Sequence, residues 1–287
     1  MNTSLTIKHN LKRLRWQARR AATALRWGPG ELARMPAVLG NAMPKSGSHL
    51  IIQVLQGLVS LGPFVNPGFP PLNRDEANAR LTEAGLLAAI RSMRPGDIGY
   101  GYIQAREPFL SALTRPGRAT VFVYRDPRDM LVSHVFYATQ IHQGHGMHRY
   151  YTEELDSMEA RLNASITGVE DPQARLPGVN ERYAGYLGWL ERPEVLSLRF
   201  EDLILDRDQA LGCLLDYLAE RGFTPRAARE QAVERLKEAI QPKKSGTFRK
   251  GKPGNWREHF TEANKALFKE RTGDLLVRLG YEAGDDW

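Results

Sequence analysis

The amino-acid sequence predicts an α/β protein with a central parallel sheet and helices on both faces of that sheet. Short apolar runs that are typical of buried strands alternate along the chain with longer segments of helical periodicity. This alternation favours parallel pairing, because each parallel connection requires a crossover and the crossover helices cover the sheet. With 287 residues, 42% of them hydrophobic and 25% charged, the chain can bury a sizeable core.

The predicted elements follow one another in a regular order. A strand, a loop and a helix fill residues 36–59, and a loop rich in proline and glycine follows at residues 62–71. The remaining predicted elements are helix 81–91, strand 98–104, strand 119–124, helix 127–140, a loop over 141–152, helix 178–190, strand 194–200, and helices 207–221, 225–239 and 262–279. Right-handed crossovers would bring the carboxyl ends of strands 36–41 and 119–124 to one edge of the sheet, where open α/β sheets bind ligands.

The overall charge indicates what kind of partner the protein has. A net charge of +7 and a pI near 9.5 favour an acidic ligand or an anionic membrane surface. A nucleic-acid partner is not expected, because the aromatic residues do not interleave with a basic stripe. The single cysteine, Cys213, excludes an internal disulfide. Its apolar neighbours, Leu211 to Leu215, predict a buried structural thiol.

Residues 1–33 are predicted to form a basic N-terminal segment, followed by a single domain over residues 34–287. Residues 7–27 have the pattern of a basic amphipathic helix with tryptophans, and two interpretations stay open. The helix lies in a membrane interface, or it is solvated and packs its apolar side on the domain. No run approaches the ~20 apolar residues of a membrane span, and basic residues interrupt every early apolar run that could form a signal peptide. We therefore expect a cytoplasmic protein, with peripheral membrane contact through residues 7–27 as the alternative.

Three short stretches have the form of phosphate-binding devices. Pro44–Ser48 lies between the first strand and a helix, where backbone N–H groups and the helix N-terminus favour an anion. Arg125–Asp129 follows strand 119–124 and also opens a helix, with Asp126 as N-cap and Pro127 at the first helical position. Arg249–Gly251 belongs to a basic stretch over residues 243–252. Singly these stretches are also compatible with a turn, a helix start and a solvated loop, but a ligand with phosphates at two ends would explain all three.

The order and spacing of these stretches resemble the sulfotransferase family over roughly residues 36–265. The family motifs are matched by Pro44-Lys45-Ser46-Gly47-Ser48, by Arg125 with Ser133 eight residues later, and by Arg249-Lys250-Gly251 with Gly254-Asn255-Trp256 and Phe260-Thr261. The resemblance implies a P-loop-like three-layer α/β fold. It also implies transfer of a sulfuryl group from 3′-phosphoadenosine-5′-phosphosulfate (PAPS) to an acceptor hydroxyl, with no metal. A nucleotide triphosphatase is disfavoured, because the Gly-Lys-Ser/Thr end of a Walker A loop is missing.

The resemblance also implies roles for individual residues in the first stretch. Lys45 would stabilise the negative charge that develops on the leaving oxygen of the 5′-phosphate. Ser46, Gly47 and Ser48 would supply hydroxyl and N–H donors to the 5′-phosphosulfate, and His49 would contribute at least its backbone N–H.

The second and third stretches are implied to bind the 3′-phosphate. Arg125 and Ser133 would hold it from one side, with Arg249, Lys250 and the Gly251 N–H closing from the other. Phe248, which precedes the third stretch, would pack on adenine.

Departures from the family pattern concern adenine stacking and the general base. Leu50 stands where cytosolic members carry a tryptophan, and Phe200 stands where many members carry a tyrosine. The family often has a histidine at the end of the strand that matches 98–104, and here Tyr102 occupies that region; tyrosine is a poor base at its usual pKa of about 10.

The remaining base candidates are Glu107 and a histidine of the loop that carries His142, His145 and His148, of which we select His145. The spacing of three between these histidines also invites a metal interpretation. The intervening glycines spoil a helical face, so no metal site is predicted.

The sequence therefore predicts a PAPS-dependent sulfotransferase that acts on a hydroxyl. A cell-surface glycan or glycolipid precursor is the predicted acceptor, from the basic N-terminal segment and the resemblance, and small alcohols and phenols stay open as acceptors. Two alternatives stay open. One is a protein that binds PAPS or its product 3′-phosphoadenosine-5′-phosphate (PAP) with little or no turnover, held at a membrane by residues 7–27. The other is a basic interaction module that binds no nucleotide.

Overall fold

The computed structural model describes residues 3–241 and 251–287. The chain divides into two compact units: Met1–Tyr124 with Gly188–Ser245, and Arg125–Leu187 with Gly246–Trp287. The predicted division into an N-terminal segment over 1–33 and a domain over 34–287 stays a prediction.

The helices and strands alternate along much of the chain. In the first unit they are α1 (Thr3–Trp27), α2 (Pro29–Arg34), β1 (Ala37–Ala42), α3 (Ser48–Leu61), α4 (Glu83–Ser92), β2 (Ile98–Gly101), α5 (Phe109–Thr114) and β3 (Arg118–Tyr124). The second unit contributes α6 (Pro127–Phe136), α7 (Met158–Thr167), β4 (Val169–Asp171), β5 (Ala174–Leu176) and α8 (Val179–Leu187). The chain then gives β6 (Val195–Arg199), α9 (Asp202–Leu205), α10 (Arg207–Ala219) and α11 (Arg229–Ala239) to the first unit, and α12 (Glu262–Thr272) and α13 (Leu275–Arg278) to the second.

The sheet of the first unit has the predicted parallel topology. Its four strands lie in the order β2-β1-β3-β6, and every neighbouring pair is parallel. In the middle of the sheet Gly40 of β1 pairs with Tyr100 of β2 and Val121 of β3. The carboxyl ends of β1 and β3 therefore meet at one edge, and the predicted fold class is confirmed.

Helices of the first unit cover both faces of this sheet. Val121 and Val123 point to one face, where they join a core formed with α3, α10 and α11. Thr120 points to the opposite face, because side chains alternate along a strand. There its hydroxyl donates to the Leu113 carbonyl of α5 at 2.8 Å.

Helix α1 packs on the first unit through a side that the sequence did not indicate. The indole N–H of Trp16 donates to Asp97 at 2.9 Å, and the ring packs with Leu32 and Val65. Arg20 pairs with the same carboxylate at 2.8 Å. The interpretation of a helix that packs on the protein is correct for Trp16, whereas the leucines of the same predicted helix, Leu11, Leu14 and Leu25, are exposed. Within the described ranges, no helix combines the length and the apolar composition needed to cross a bilayer.

The exposed position of Cys213 also corrects a prediction. On α10, Leu211, Leu214 and Leu215 are buried, and Cys213 is exposed. The helical period explains the difference, because positions i, i+3 and i+4 share one face and position i+2 does not. The predicted buried thiol is therefore wrong.

In the second unit, α6 begins as the sequence predicts. Asp126 is the N-cap and accepts from the Arg128 N–H at 2.9 Å, and Pro127 lies in the first turn. The α-helix ends at Phe136, where the sequence predicts continuation to residue 140, and a π-helical turn covers Tyr137–Ile141. Helix α7 and the β4–β5 hairpin were not predicted.

Candidate functional site

The first stretch forms a sharp loop between β1 and α3. Lys45 has a φ of 67° and Gly47 a φ of 91°, so two left-handed residues flank Ser46. A left-handed lysine is unusual, because a Cβ atom makes this conformation costly. Strain of this kind concentrates at ligand-binding sites.

Two features of this loop are suited to an anion. Ser46 is fully buried, and its Oγ atom has no hydrogen-bond partner among the described residues. Gly47 is the N-cap of α3, a 14-residue helix, and because glycine has no side chain, the N-cap residue cannot cap the N–H groups of the first turn. A buried hydroxyl without a partner calls for a ligand or a water molecule, and an uncapped helix N-terminus attracts negative charge.

Tyr102 lies against this loop. Its hydroxyl donates to the Ser48 Oγ at 2.9 Å, and its N–H donates to Asn73 at 3.2 Å. The next residue is held equally firmly, since Asn41 of β1 exchanges two hydrogen bonds with the Ile103 backbone at 2.8 and 2.9 Å. The residues that follow β2 are thus fixed beside the start of α3. The predicted binding residue Ser48 therefore lies next to Tyr102, which occupies the region where the family often has a histidine base.

His49 is the second residue of α3, and its pKa is lowered from its ordinary value of 6.5. The larger cause is partial burial and the smaller is the positive charge of Lys45. The imidazole is therefore favoured in its neutral form at pH 7. A neutral imidazole can accept a proton, so the sequence-predicted ligand-binding residue His49 also qualifies chemically as a base.

Glu107 lies in the first unit just before α5. One carboxylate oxygen accepts from the Ser111 hydroxyl at 2.8 Å, and the other accepts from the Ser111 N–H at 3.4 Å. The residue is exposed. These contacts stabilise the start of α5.

Asp129 organises the second stretch. Arg125, the first residue of the second unit, places its guanidinium 3.7 Å from the Asp129 carboxylate, and its carbonyl accepts from the Tyr183 hydroxyl at 2.8 Å. Asp129 is 1% exposed and accepts from the backbone N–H groups of Gly254 and Trp256, both at 2.8 Å. Burial raises the pKa of this carboxyl, and Arg125 and the two amides oppose that rise.

The same carboxylate connects the second stretch to the segment that begins at Gly254. Ser133 lies four residues after Asp129 on the same face of α6, because the helical period brings positions i and i+4 together. That face holds the segment that begins at Gly254. Gly251, with a φ of 59°, lies three residues before it. The predicted residues Phe248, Arg249 and Lys250 lie outside the described residues.

Arg128, the second arginine of this stretch, has a structural position. It pairs with Asp126 at 2.7 Å and with Glu282 at 2.6 Å, and it is 2% exposed. Its guanidinium stacks 4.1 Å from the Trp256 ring and 4.4 Å from the Trp287 ring. Arg128 and Trp256 therefore anchor the chain that follows the third stretch.

The histidine loop belongs to the second unit. The Nδ1 atom of His145 accepts from the Met147 N–H at 3.1 Å, and its ring lies edge-on to His134 with centroids 5.1 Å apart. In the neutral ring the proton then sits on Nε2. His148 contacts the Ala138 carbonyl at 2.8 Å through its Nδ1. Among residues 3–241 and 251–287 no three histidine, cysteine or acidic side chains form a metal-binding group.

Sequence reasoning missed Asp129 and the burial of the Ser46 hydroxyl. Asp129 stands four residues after Arg125, a spacing that indicates an ion pair at the start of a helix. Its bonds to Gly254 and Trp256 join residues more than a hundred positions apart, and no local pattern indicates them.

A family model of the sulfotransferase domain matches residues 107–280, which is more than half of the 287-residue chain. The chain belongs to the sulfotransferase domain family, so the predicted family and enzyme class are confirmed. The match includes the second and third stretches and begins after the first. No curated protein matched the chain.

Solved structures share the fold at low sequence identity. Mouse sulfotransferase SULT7A1 complexed with PAP is 14% identical with a TM-score of 0.58, over 87% of this chain and 90% of that chain. Retinol dehydratase in complex with androsterone and the inactive cofactor PAP is 17% identical with a TM-score of 0.56, over 86% of this chain and 83% of that chain. A complex of retinol dehydratase with retinol and PAP is 16% identical with a TM-score of 0.56, over 86% and 84%.

Proposed function

We propose that this sulfotransferase moves the sulfuryl group of PAPS in line to an acceptor hydroxyl. The observation that supports this best is the loop of residues 44–48, where the buried Ser46 hydroxyl and the uncapped start of α3 offer donors to an anion. The bond between sulfur and the 5′-phosphate oxygen breaks as the acceptor oxygen bonds to sulfur, and PAP leaves. Lys45 stabilises the charge on the leaving oxygen. The PAP bound in the three similar structures is consistent with this donor.

The proposed 3′-phosphate site uses Arg125 and Ser133, with Phe248, Arg249, Lys250 and Gly251 from the third stretch. Support comes from the Asp129 carboxylate, which bonds the segment starting at Gly254 to the helix that carries Ser133. A forked guanidinium suits a phosphate monoester and would distinguish PAPS from donors that lack the 3′-phosphate.

Calorimetric titration with PAP, compared with 5′-AMP in the same buffer, tests this proposal. Binding of PAP with little binding of 5′-AMP would support a 3′-phosphate site. Equal binding of the two nucleotides, or binding of neither, would refute the proposed donor. The Arg249→Ala variant should weaken PAP binding by about 1.5–3 kcal/mol, the scale of a charged hydrogen bond.

For the proton of the acceptor hydroxyl we propose a general base among three residues: Glu107, His145 and, from its lowered pKa, His49. We expect His49→Asn to reduce turnover by roughly 100- to 10,000-fold, the usual contribution of a general base. PAP affinity should change little, because the backbone N–H of residue 49 remains at the start of α3. The variants Glu107→Gln and His145→Gln are the parallel measurements. If His49→Asn keeps full turnover and one of the other two loses it, that residue is the base.

The proposed acceptor is a hydroxyl of a cell-surface glycan or glycolipid precursor. Small alcohols are the second candidate, because two of the similar structures contain androsterone or retinol, which carry hydroxyl groups. Release of PAP in an acceptor screen distinguishes the two classes. If the protein binds PAP but no tested acceptor causes it to convert PAPS to PAP, the result would favour the alternative of a nucleotide-binding protein with little turnover.

The shape of the first loop gives a further prediction. A Cβ atom at Gly47 would lie 2.5 Å from the Phe200 ring, so Gly47→Ala must displace that ring as well as strain a left-handed backbone. We expect at least a tenfold loss of PAP affinity and a lower unfolding midpoint. Gly222→Ala is the matched control, because Gly222 has a φ of 89° and nothing within 4 Å of its Cβ position. It should lose a similar ~1 kcal/mol of stability from backbone strain and no PAP affinity. Equal losses of PAP affinity in both variants would show that the contact with Phe200 is unimportant.

A further inference from the structure

Helix α1 has an apolar face that is turned to solvent. Trp16 lies on the opposite side and packs on the first unit. The outer face contains, at alternating spacings of four and three residues, Ile7, Leu11, Leu14, Ala18, Ala21 and Leu25. Residues with this spacing share one face of a helix. Leu14 and Ala18 each lie two residues from Trp16, about half a turn around the helix.

The exposure of this outer face is large for its residue types. Ile7 is 54% exposed, Leu11 49%, Leu14 62% and Leu25 89%. Exposed leucines that occur singly need no explanation, but a continuous apolar stripe on one helix indicates an interaction surface. The name outer stripe is used below for these six residues: Ile7, Leu11, Leu14, Ala18, Ala21 and Leu25.

Charge decides which partner fits the outer stripe. Helix α1 contains no aspartate or glutamate over Thr3–Trp27, and its basic residues are Lys8, Lys12, Arg13, Arg15, Arg19, Arg20 and Arg26. Lys12 pairs with Glu76 and Arg20 with Asp97 on the inner side. Lys8 and Arg15 follow Ile7 and Leu14 directly, so both flank the outer stripe, and both are exposed.

A second copy of the chain fits this surface poorly. The alternating spacing resembles a coiled-coil seam, in which flanking positions of two helices pair across the interface. Here those flanking positions hold Lys8 and Arg15 and no acid, so two α1 helices could form no ion pair across the interface. An anionic lipid surface satisfies both features, because it takes the apolar side chains into the acyl boundary and attracts the basic flank.

We propose that the protein docks on anionic membranes through the outer stripe of α1, with Lys8 and Arg15 meeting the lipid headgroups. The inner side of α1 holds the helix to the first unit, so docking needs no release of Trp16 from its contact with Asp97. This inference is independent of the sulfuryl-transfer proposal.

Co-sedimentation with vesicles tests the docking surface. The probes are phosphatidylcholine vesicles with and without about 30% phosphatidylserine. The test variant is the double change Leu14→Asp with Leu25→Asp. The control is the double change Leu205→Asp with Val277→Asp. These two apolar side chains lie outside α1 and are 74% and 45% exposed, respectively, and the control variant has the same net charge as the test variant. Unfolding midpoints and circular dichroism establish that both variants keep the fold.

We expect the wild type and the control to bind the anionic vesicles, and the test variant to bind at least tenfold more weakly. Binding should decrease without phosphatidylserine, with Lys8→Gln and Arg15→Gln together, and as salt rises from ~0.1 to ~0.5 M. Equal binding of the test and control variants, or no binding of the wild type, would overturn the proposal. A wild-type dimer that the test variant dissociates, without vesicle binding, would assign the outer stripe to a second copy of the chain.

Discussion

Replacing Lys45 with alanine is expected to reduce sulfuryl transfer by roughly 100- to 1000-fold, the usual effect of removing one group that stabilises transition-state charge. The leaving oxygen gains negative charge only as its bond to sulfur breaks, so the loss should appear in turnover more than in the affinity for PAP. The fold should survive, because lysine and alanine both carry a Cβ atom and tolerate the φ of 67° at this position equally. The measurement is PAP release from PAPS in the presence of an acceptor found by screening.

Lys45→Met separates the charge from the packing of the side chain, because methionine keeps most of the apolar stem. The two variants should lose turnover equally if the ammonium group is what matters. Lys265→Ala removes a lysine paired with Glu262 on α12 and should leave turnover unchanged. Full transfer by both Lys45 variants would exclude the proposed role of this residue. Normal turnover in Lys45→Met alone would assign Lys45 a packing role.

The sheet and its connections could be predicted because each strand carries its own signal. Four short apolar runs predicted β1, β2, β3 and β6, and the observed strands start or end within three residues of those runs. The start of α6 was equally local, since Asp126 and Pro127 define an N-terminus by themselves. Short-range rules of this kind do not depend on the rest of the chain.

The orientation of α1 could not be predicted, because its cause is distant in the sequence. The helix has one apolar and one mixed side, and a solvated helix usually buries the apolar side. Here Trp16 and Arg20 meet the Asp97 carboxylate, 81 and 77 residues away, and Trp16 packs on Leu32 and Val65. These contacts leave the outer stripe facing solvent. The steric restriction at Gly47 could not be predicted for the same reason, because the Phe200 ring that causes it follows the distant strand β6.

Replacing Asp129 with alanine is expected to cost about 2–4 kcal/mol of folding free energy. The change leaves the N–H groups of Gly254 and Trp256 without their acceptor and removes the carboxylate that faces Arg125. A buried group left without its partner costs about 1–3 kcal/mol, and the loss of a buried charge partner costs more. Denaturant unfolding is the measurement. Asp129→Asn should be intermediate, since an amide keeps one acceptor and turns an NH₂ group toward the second N–H. Glu262→Ala, at an exposed ion pair, should change little.

The same variant tests whether Asp129 acts through the third stretch. If its carboxylate positions Arg249 and Lys250 by holding the segment from Gly254, then Asp129→Ala should weaken PAP binding about tenfold. That loss should vanish when Arg249 is already alanine, because the two changes would remove one shared interaction. Additive losses in the double variant would contradict this coupling and limit Asp129 to stability and to its contact with Arg125. If Asp129→Ala shows the expected loss of stability but an unchanged affinity for PAP, the third stretch would lie outside the nucleotide site.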